Sequence, residues 1–470
     1  MNTPDMIENR TYDEIAIGET ASISRRLGQR EIQLFALASG DVNPAHMDPE
    51  YARTDMFHQV IAHGLWGGGL ISAVLGTELP GPGAIYLGQT LRFVRPVALG
   101  DTITAQVTVT EKSAEHHNIT LACRCLNQNG EEVIVGEAKV KAPTEKVRRP
   151  RVALPDVQLA DHGAYHRLIE RARGAQPLPT AIVHPCSAAA ITAAAEAAAE
   201  GLIAPILIGP ENRIRAAAQE AGVDISAFRL VAAAHSHAAA ACAVAMAGHG
   251  EVQALMKGSL HTDELMGAIV AHGSPLRTER RISHAYVLDV PGYPAPLLIT
   301  DAAINIAPTL EEKADIIRNA IDLAHVIGIE TPRVAILSAV ETVTPAIPST
   351  LDAAALCKMA DRGQIAGGVL DGPLAFDNAT SPAAAAEKGI ASPVAGRAQI
   401  LLVPNIEAGN MLAKQLTFLG GADAAGIVLG ARVPVVLTSR ADSLRTRLAS
   451  CALAVLLVRA GNKAAPGASA

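Results

Sequence analysis

The segment TITAQVTVT (residues 102–110) alternates polar and apolar side chains at every second position. This period of two predicts a β-strand with one buried face. Two further strand-like runs follow over residues 118–125 and 132–141, and Asn129-Gly130 between them is a strong signal for a β-hairpin. With another run over residues 84–94, the pattern predicts four antiparallel strands.

Helical patterns precede these strands. Residues 31–38 predict a short helix and residues 64–79 a longer one, which contains Gly67-Gly68-Gly69. Three glycines weaken a helix by roughly 1 kcal/mol each relative to alanine, so we expect neighbouring backbone to approach it closely. A long helix followed by antiparallel strands is typical of an α+β domain, which we assign to residues 10–142.

The pattern breaks over residues 143–163. Three prolines and the basic run Lys146–Arg151 fall in this stretch. Since the periodicity is lost and turn-forming residues accumulate, we interpret it as a solvated linker. The alternative, a functional basic patch, is less well supported by the surrounding sequence.

The remaining residues, 164–470, alternate short apolar runs with alanine-rich helical stretches. This alternation predicts βαβ units with a parallel sheet, hence an α/β fold. The segment is long for one sheet, so we predict two lobes, residues 164–300 plus 431–470 and residues 301–430, with a cleft between them. Ligands of such sheets bind beyond the carboxyl ends of the strands.

Composition excludes several classes of protein. The net charge of −7 and the pI of about 6.1 lack the basic signature of nucleic-acid binding. The longest apolar stretch, residues 448–458, is far shorter than the about 20 residues of a membrane helix. Six scattered cysteines without a CxxC pair favour neither disulfides nor structural zinc. With no secretory signal visible at the N-terminus, we expect a cytoplasmic protein without a membrane or nucleic-acid partner.

One loop of the α+β domain combines an acid with an imidazole. Asp41 and His46 lie five residues apart, and Pro44 between them restricts the backbone. A carboxylate and an imidazole held close together can act as a general acid/base pair. The alternative is that Asp41 is a turn residue and His46 an ordinary surface histidine. Because a helix begins soon afterwards at Gly64, its free N–H groups could stabilise a developing oxyanion.

This loop resembles the MaoC-like, (R)-specific enoyl-CoA hydratase family through residues 39–46 (SGDVNPAH), Gly64 and residues 91–97 (LRFVRPV). The resemblance implies a hot-dog fold, in which an antiparallel sheet wraps a central helix, and dimerisation through sheet edges. It also implies that Asp41 and His46 are catalytic, that the Gly64 N–H polarises a thioester carbonyl, and that Asn43 holds the loop or a water. Which member of the pair handles water stays open.

Several strand-end loops of the α/β half share one pattern: Lys257-Gly258 and residues 276–278 (LRT), 300–305 (TDAAIN), 371–379 (DGPLAFDNA), 403–410 (VPNIEAGN) and 438–443 (TSRADS). In this order along the chain they resemble the phosphate acetyl/butyryltransferase family. The resemblance implies a two-lobed fold related to isocitrate dehydrogenase and a reaction of acyl-CoA with orthophosphate, without a metal or a covalent intermediate. It implies that Ser439 and Arg440 are catalytic. The base is unassigned, because position 446 is Thr where the acetyltransferase branch has Asp. Weaker candidates for binding CoA or phosphate are Lys257, Arg277, Asn305, Asp377, Asn405 and Asn410.

Together the halves predict a bifunctional, homo-oligomeric enzyme of acyl-CoA metabolism. Coenzyme A thioesters and orthophosphate are its expected substrates, with no bound cofactor or metal. Two alternatives stay open, in which only the hydratase is active and the second half is either a CoA-binding module or a dehydrogenase-like domain. Acyl chain length, direction of flux, channelling and oligomer number stay undetermined.

Overall fold

The computed structural model describes residues 5–154, 157, 163–174, 176–437 and 442–464. The chain divides into two compact units, Met1–Val157 and Gln158–Ala470. Within the described ranges, each helix is too short or too polar to cross a membrane.

The first unit is an antiparallel sheet of five strands packed on a helix. The strands lie in the order β2-β4-β5-β6-β3, and the helix α4 packs mainly against β4, β2 and β5. This arrangement confirms the predicted hot-dog fold. The elements of the unit are β1 (Met6–Glu8), β2 (Thr20–Arg26), α1 (Gln29–Ser39), α2 (Pro44–Met47), α3 (Pro49–Thr54), α4 (Gly64–Thr77), β3 (Ile85–Phe93), β4 (Thr102–Ser113), β5 (Asn118–Leu126), β6 (Glu132–Lys141) and β7 (Arg148–Pro150).

The polar and apolar residues that alternate over residues 102–110 alternate in burial along β4. Ile103, Ala105, Val107 and Val109 are buried between half-exposed polar residues. They share one core with Ile71, Val74 and Leu75 of α4 and with the inner face of β5 and β6. Burying a side chain of this size stabilises the fold by about 1.5–3 kcal/mol, so this single face accounts for the position of α4.

The glycines of α4 leave room for apolar side chains of the sheet and not for neighbouring backbone. A Cβ at Gly67 would overlap Ile134 Cδ1, and a Cβ at Gly68 would lie 3.0 Å from Leu91 Cδ1. Gly69 has open space beside it. The predicted approach of neighbouring backbone is therefore wrong, because the sheet contacts this helix through apolar side chains.

Residues 143–151 are mostly exposed, as expected of a solvated stretch, but part of them forms a strand of the first unit and not a free linker. β7 pairs antiparallel with β1, from Met6 opposite Pro150 to Glu8 opposite Arg148. Lys146 donates to the Asn9 carbonyl oxygen at 2.7 Å and forms an ion pair with Glu14 at 2.8 Å. The basic residues thus attach this stretch to acidic residues near the N-terminus of the first unit.

The second unit contains one mixed sheet of eleven strands, in the order β10-β9-β8-β11-β18-β17-β12-β13-β16-β14-β15. Its helices and strands are α5 (Gly163–Ala172), β8 (Leu178–Val183), α6 (Ala188–Ala199), β9 (Ile203–Gly209), α7 (Glu211–Ala221), β10 (Arg229–Ala232), α8 (Ser236–Gly248), β11 (Ala254–Lys257), α9 (Thr262–Val270), β12 (Ser283–Asp289), β13 (Leu297–Thr300), α10 (Leu310–Val326), β14 (Arg333–Leu337), α11 (Pro348–Asp361), β15 (Val369–Leu374), α12 (Phe376–Thr380), α13 (Pro382–Glu387), β16 (Ile400–Leu402), α14 (Ile406–Phe418), β17 (Asp423–Leu429), β18 (Val435–Val436) and α15 (Leu444–Ala464).

The sheet departs from the parallel prediction at its centre. β12 pairs antiparallel with both β13 and β17, and β17 pairs antiparallel with β18. Only residues 290–296 connect β12 to β13, too few for the crossover that parallel neighbours require. The α/β class is correct, but the sheet is mixed. The relation to isocitrate dehydrogenase stays a prediction.

The single sheet runs through both predicted lobes, and its two faces are packed differently. One core runs along the first face and includes Ile182, Ala285 and Ile336. On the opposite face, one cluster contains Val183 and Leu255, and a separate cluster contains Ile299 and Leu337. Because side chains of a strand alternate between faces, His284 and Tyr286 of β12 point to the second face, in the gap between the two clusters.

Candidate active sites

The loop that carries Asp41 and His46 is shaped by its own side chains. Gly40 is the C-cap of α1, and its φ of +77° lies in the left-handed region that glycine adopts readily. Asp41 Oδ1 accepts from the Asn43 N–H at 3.2 Å, and Asn43 Oδ1 accepts from the Ala45 N–H at 3.1 Å, which caps α2. Asn43 therefore holds the loop, one of its two expected roles.

His46 is oriented by a bond to the segment that precedes α4. Its Nδ1 lies 2.9 Å from the Ile61 carbonyl oxygen. Because a carbonyl oxygen only accepts, Nδ1 carries the hydrogen, and the neutral ring keeps a lone pair on Nε2. An imidazole in this tautomer can take a proton through Nε2 and return it.

Three side chains converge here, and we refer to Asp41, His46 and His63 as the acid–imidazole cluster. Their ligand atoms all lie within 4.8 Å of one another, and the rings of His46 and His63 are 4.1 Å apart. Two imidazoles and a carboxylate are also a donor set that a transition metal accepts. His63 lies 22 positions from Asp41 in the sequence and outside the motif of residues 39–46.

A cavity of about 330 Å³ opens beside the acid–imidazole cluster. His46, His63 and Gly64 line it together with Trp66 and Phe93. Gly64 is the first residue of α4, where backbone N–H groups have no partner within the helix. A Cβ at Gly64 would lie 3.0 Å from Phe93 Cε1, so a larger residue there would displace the aromatic wall.

The second unit has a cavity of about 860 Å³ in the gap between the two lobes. The residues that line it include Lys257 of β11, Asn410 and Lys414 of α14, and His284 and Tyr286 of β12. The cavity also reaches Leu437, which comes directly before residues 438–441. Ser439 and Arg440, the predicted catalytic residues, lie outside the described residues.

Two of the predicted binding residues line this cavity. Lys257 is 6% exposed, and its Nζ donates to the Leu260 carbonyl oxygen at 3.3 Å. Asn410 Nδ2 donates to the Ala302 carbonyl oxygen at 3.3 Å. A cation and an amide at the edge of the sheet could contact phosphate or a thioester, as expected.

A second cavity of about 800 Å³ lies next to it and shares Thr262, Ala303 and Ile406 with it. Arg277 is exposed and lines this second cavity. Its position beside the larger cavity suits the phosphate groups of a long substrate such as coenzyme A.

The other three predicted residues are engaged by the protein itself. Asn305 accepts from Arg281 Nε at 2.7 Å and donates to the Ile282 carbonyl oxygen at 3.0 Å. Asn405 Oδ1 accepts from the Ala408 N–H at 3.0 Å and caps α14. Asp377 is outside the lining of both cavities and lies 3.6 Å from Lys388 Nζ. These contacts favour structural roles for all three.

Two residues of the larger cavity had no signal in the sequence. His284 has no solvent exposure, and neither ring nitrogen has a hydrogen-bond partner among the described residues. Burial lowers the pKa of His284 to about 4, against the opposing charge of Asp301. Burial, and next the charge of Asp442, raise the pKa of Tyr286 to about 12, so its hydroxyl stays protonated. Both side chains are therefore neutral near pH 7.

Position 446, where the sequence departs from the acetyltransferase branch, is Thr. It lies in α15, and its hydroxyl is 3.1 Å from the Ser443 hydroxyl. A hydroxyl in this position cannot serve as the carboxylate base of the acetyltransferase branch.

Two family models match this chain. The family model "Phosphate acetyl/butaryl transferase" matches residues 235–455, and "MaoC like domain" matches residues 13–124. A phosphate acetyltransferase of Rhizobium meliloti is 63% identical over 297 residues, which are 63% of this chain and 94% of the relative.

Two solved structures are also similar. A branched-chain phosphotransacylase from Enterococcus faecalis is 31% identical, with 60% of this chain and 99% of that chain covered and a TM-score of 0.53. An R-hydratase from Pseudomonas aeruginosa is 44% identical, with 33% of this chain and 100% of that chain covered and a TM-score of 0.32. The chain belongs to the phosphate acetyl/butyryltransferase family through its second unit, and its first unit carries a MaoC-like domain.

Proposed function

We propose that the protein is bifunctional. Its first unit hydrates trans-2-enoyl-CoA to the (R)-3-hydroxyacyl thioester, and its second unit transfers an acyl group between CoA and orthophosphate. The observation that carries the first activity is the convergence of Asp41 and His46 beside the start of α4. The 63% identity to a phosphate acetyltransferase over 94% of its length carries the second.

In the hydration, the hydroxyl of water adds to C3 of the enoyl group and a proton adds to C2. One member of the Asp41–His46 pair accepts a proton from water, and the pair returns a proton to C2, so no net proton is consumed. The thioester oxygen becomes negative in the transition state, and the Gly64 N–H at the N-terminus of α4 stabilises it. The cavity lined by Trp66 and Phe93 holds the short acyl chain.

In the acyl transfer, an oxygen of orthophosphate attacks the thioester carbon. A C–O bond forms, the C–S bond breaks, and the departing sulfur takes up a proton as the CoA thiol. Lys257 in the cavity wall offers positive charge to phosphate, and the sequence predicts the same task for Arg440. The name of the Rhizobium meliloti relative supports acetyl as the acyl group.

The hydration is tested on the full chain with crotonyl-CoA and chiral analysis of the product. We expect Asp41→Asn and His46→Gln each to lower kcat by roughly 10²–10⁴-fold. His58→Asn is the matched control, because His58 is nearby and exposed but lies outside the acid–imidazole cluster. Unchanged turnover in the first two variants, or an (S) product, would contradict the proposal.

The acyl transfer is tested by phosphate-dependent release of CoA from a series of short-chain acyl-CoAs. We expect Lys257→Met and Arg440→Ala to lower kcat/KM for phosphate by roughly 10²-fold or more, while hydration stays unchanged. Each activity is thus the internal control for the other. A chain that binds acyl-CoA but never releases CoA in the presence of phosphate would favour a CoA-binding module.

A further inference from the structure

His63 occupies the junction between the catalytic loop and α4. It is 2% exposed, and its backbone is the N-cap of the helix that begins at Gly64. A capping side chain would bond to the first turn of the helix, but the His63 side chain makes no such bond. The imidazole points away from the helix that it precedes, so its burial needs another explanation.

The imidazole contacts both members of the catalytic pair. His63 Nε2 lies 2.9 Å from the carbonyl oxygen of Asp41, and its ring is 4.1 Å from the ring of His46. Since the carbonyl only accepts, Nε2 carries the hydrogen and Nδ1 keeps a lone pair. That Nδ1 is buried without a protein partner among the described residues, in the wall of the cavity.

This bond is part of a reciprocal connection between two segments. His63 donates to the carbonyl of Asp41, while His46 donates to the carbonyl of Ile61. The nearby bonds of Asp41, from its N–H to Ser39 Oγ and from the Asn43 N–H to its Oδ1, stay within two positions of it. Those local bonds shape the loop without fixing it to α4.

Building on the proposed hydration, we propose that His63 is a positioning residue of the hydratase site. It holds the main chain of Asp41 against the start of α4, so that the carboxylate, the His46 imidazole and the Gly64 N–H keep one geometry around the substrate. Asp41 is exposed, so without this bond the carboxylate would sample many positions.

The expected effect is on turnover rather than on binding. A displacement of about 1 Å in an acid/base group can cost roughly 10²-fold in rate, whereas the other residues that line the cavity stay in place. We therefore expect His63→Leu, in the full chain with crotonyl-CoA, to lower kcat roughly 10- to 100-fold and to change KM less than about 3-fold.

Two conservative variants separate positioning from packing. The amide nitrogen of Gln is as many bonds from Cα as His Nε2 and can donate to the Asp41 carbonyl, so we expect His63→Gln to retain kcat within a few-fold. His63→Asn is polar but too short, and we expect it to lose kcat as His63→Leu does. This comparison stands even where the Leu variant does not fold. His58→Asn should leave both constants unchanged.

Distinct results would overturn the inference and the proposed function. Wild-type kcat in folded His63→Leu, or an equal loss in His63→Gln and His63→Asn, would show that the bond to Asp41 does not position the site. A wild-type chain that transfers acyl groups but does not hydrate crotonyl-CoA would instead remove the proposed hydration, and the role of His63 with it.

Discussion

The stability of the second unit should fall steeply between pH 6.5 and pH 4 because of His284. The ring has no solvent exposure and no hydrogen-bond partner among the described residues. Burial penalises the charged imidazolium and lowers the pKa of His284 from 6.5 to about 4. The perturbation is acidification of the wild-type chain and of His284→Leu, which removes the titrating group.

The direction follows from the protons bound in each state. In the unfolded chain the imidazole is protonated below about pH 6.5, whereas in the folded state it is protonated only below about pH 4. The full stability is therefore present above pH 6.5 and is lost as the pH falls through the folded pKa of His284. At about 1.4 kcal/mol per pH unit, the difference between a pKa of 6.5 in the unfolded chain and about 4 in the folded state amounts to about 3 kcal/mol of folding free energy.

The assay is urea unfolding at a series of pH values, followed by far-ultraviolet circular dichroism. Trp66 is the one tryptophan of the chain and lies in the first unit, so its fluorescence serves as the control for that unit. Carboxylates and imidazoles that do not interact with His284 titrate alike in both proteins and cancel in the difference. We expect wild type to lose about 3 kcal/mol more than His284→Leu between pH 6.5 and pH 4.

Parallel stability curves for the two proteins would refute this reasoning. They would mean that the imidazole is charged in the folded state, or that it is solvated there despite its burial. A packing defect caused by Leu would lower the stability of the variant equally at every pH, including pH 8, and would leave the difference in pH dependence unchanged.

Three other outcomes are expected. Lys313→Met should lower the free energy of unfolding by about 2 kcal/mol in urea titrations, because it removes the ammonium group that lies 2.6 Å from Asp352. Lys358→Met, at an exposed ion pair, is the control and should change the free energy of unfolding by less than about 0.5 kcal/mol. Leu87 is exposed on β3, an edge strand of the first sheet. Leu87→Lys should shift the chain toward monomer in sedimentation experiments, because a charged side chain opposes the pairing of two edge strands. An unchanged oligomer would place the contact between copies of the chain elsewhere. Dialysis against a chelator should leave both proposed activities intact, since the proposed hydration needs only proton transfer by Asp41 and His46. Restoration of lost hydration by zinc would instead show a required metal at the acid–imidazole cluster.

Local patterns in the sequence predicted the first unit well. The period of two over residues 102–110, the Asn129-Gly130 turn and the apolar helix at 64–79 correspond to β4, the β5–β6 hairpin and α4. Each signal arises within a few residues, where backbone preference and one-sided burial act directly. The sequence did not predict that residues 143–151 pack on the first unit, because that depends on pairing with β1.

The candidate sites were predicted unevenly for the same reason. Asp41 and His46 lie in one short loop, so their proximity could be inferred. Lys257 and Asn410 are predicted residues that the structure brings to one cavity, whereas Asn305 and Asn405 are engaged in hydrogen bonds within the protein. A residue type at a strand end indicates a polar site, but its hydrogen-bond partners decide whether it can face a ligand.

By itself, the sequence predicted two domains, their fold classes and the residues of the motif loops. These depend on periodicity, turn residues and contiguous motifs, all of which act over short range. Only the tertiary structure decided that His63 joins Asp41 and His46, that the second sheet is mixed, and that His284 forms the floor of the larger cavity. The physical reason is that such neighbours are distant along the chain and meet through the packing of helix and sheet faces, which local periodicity does not specify.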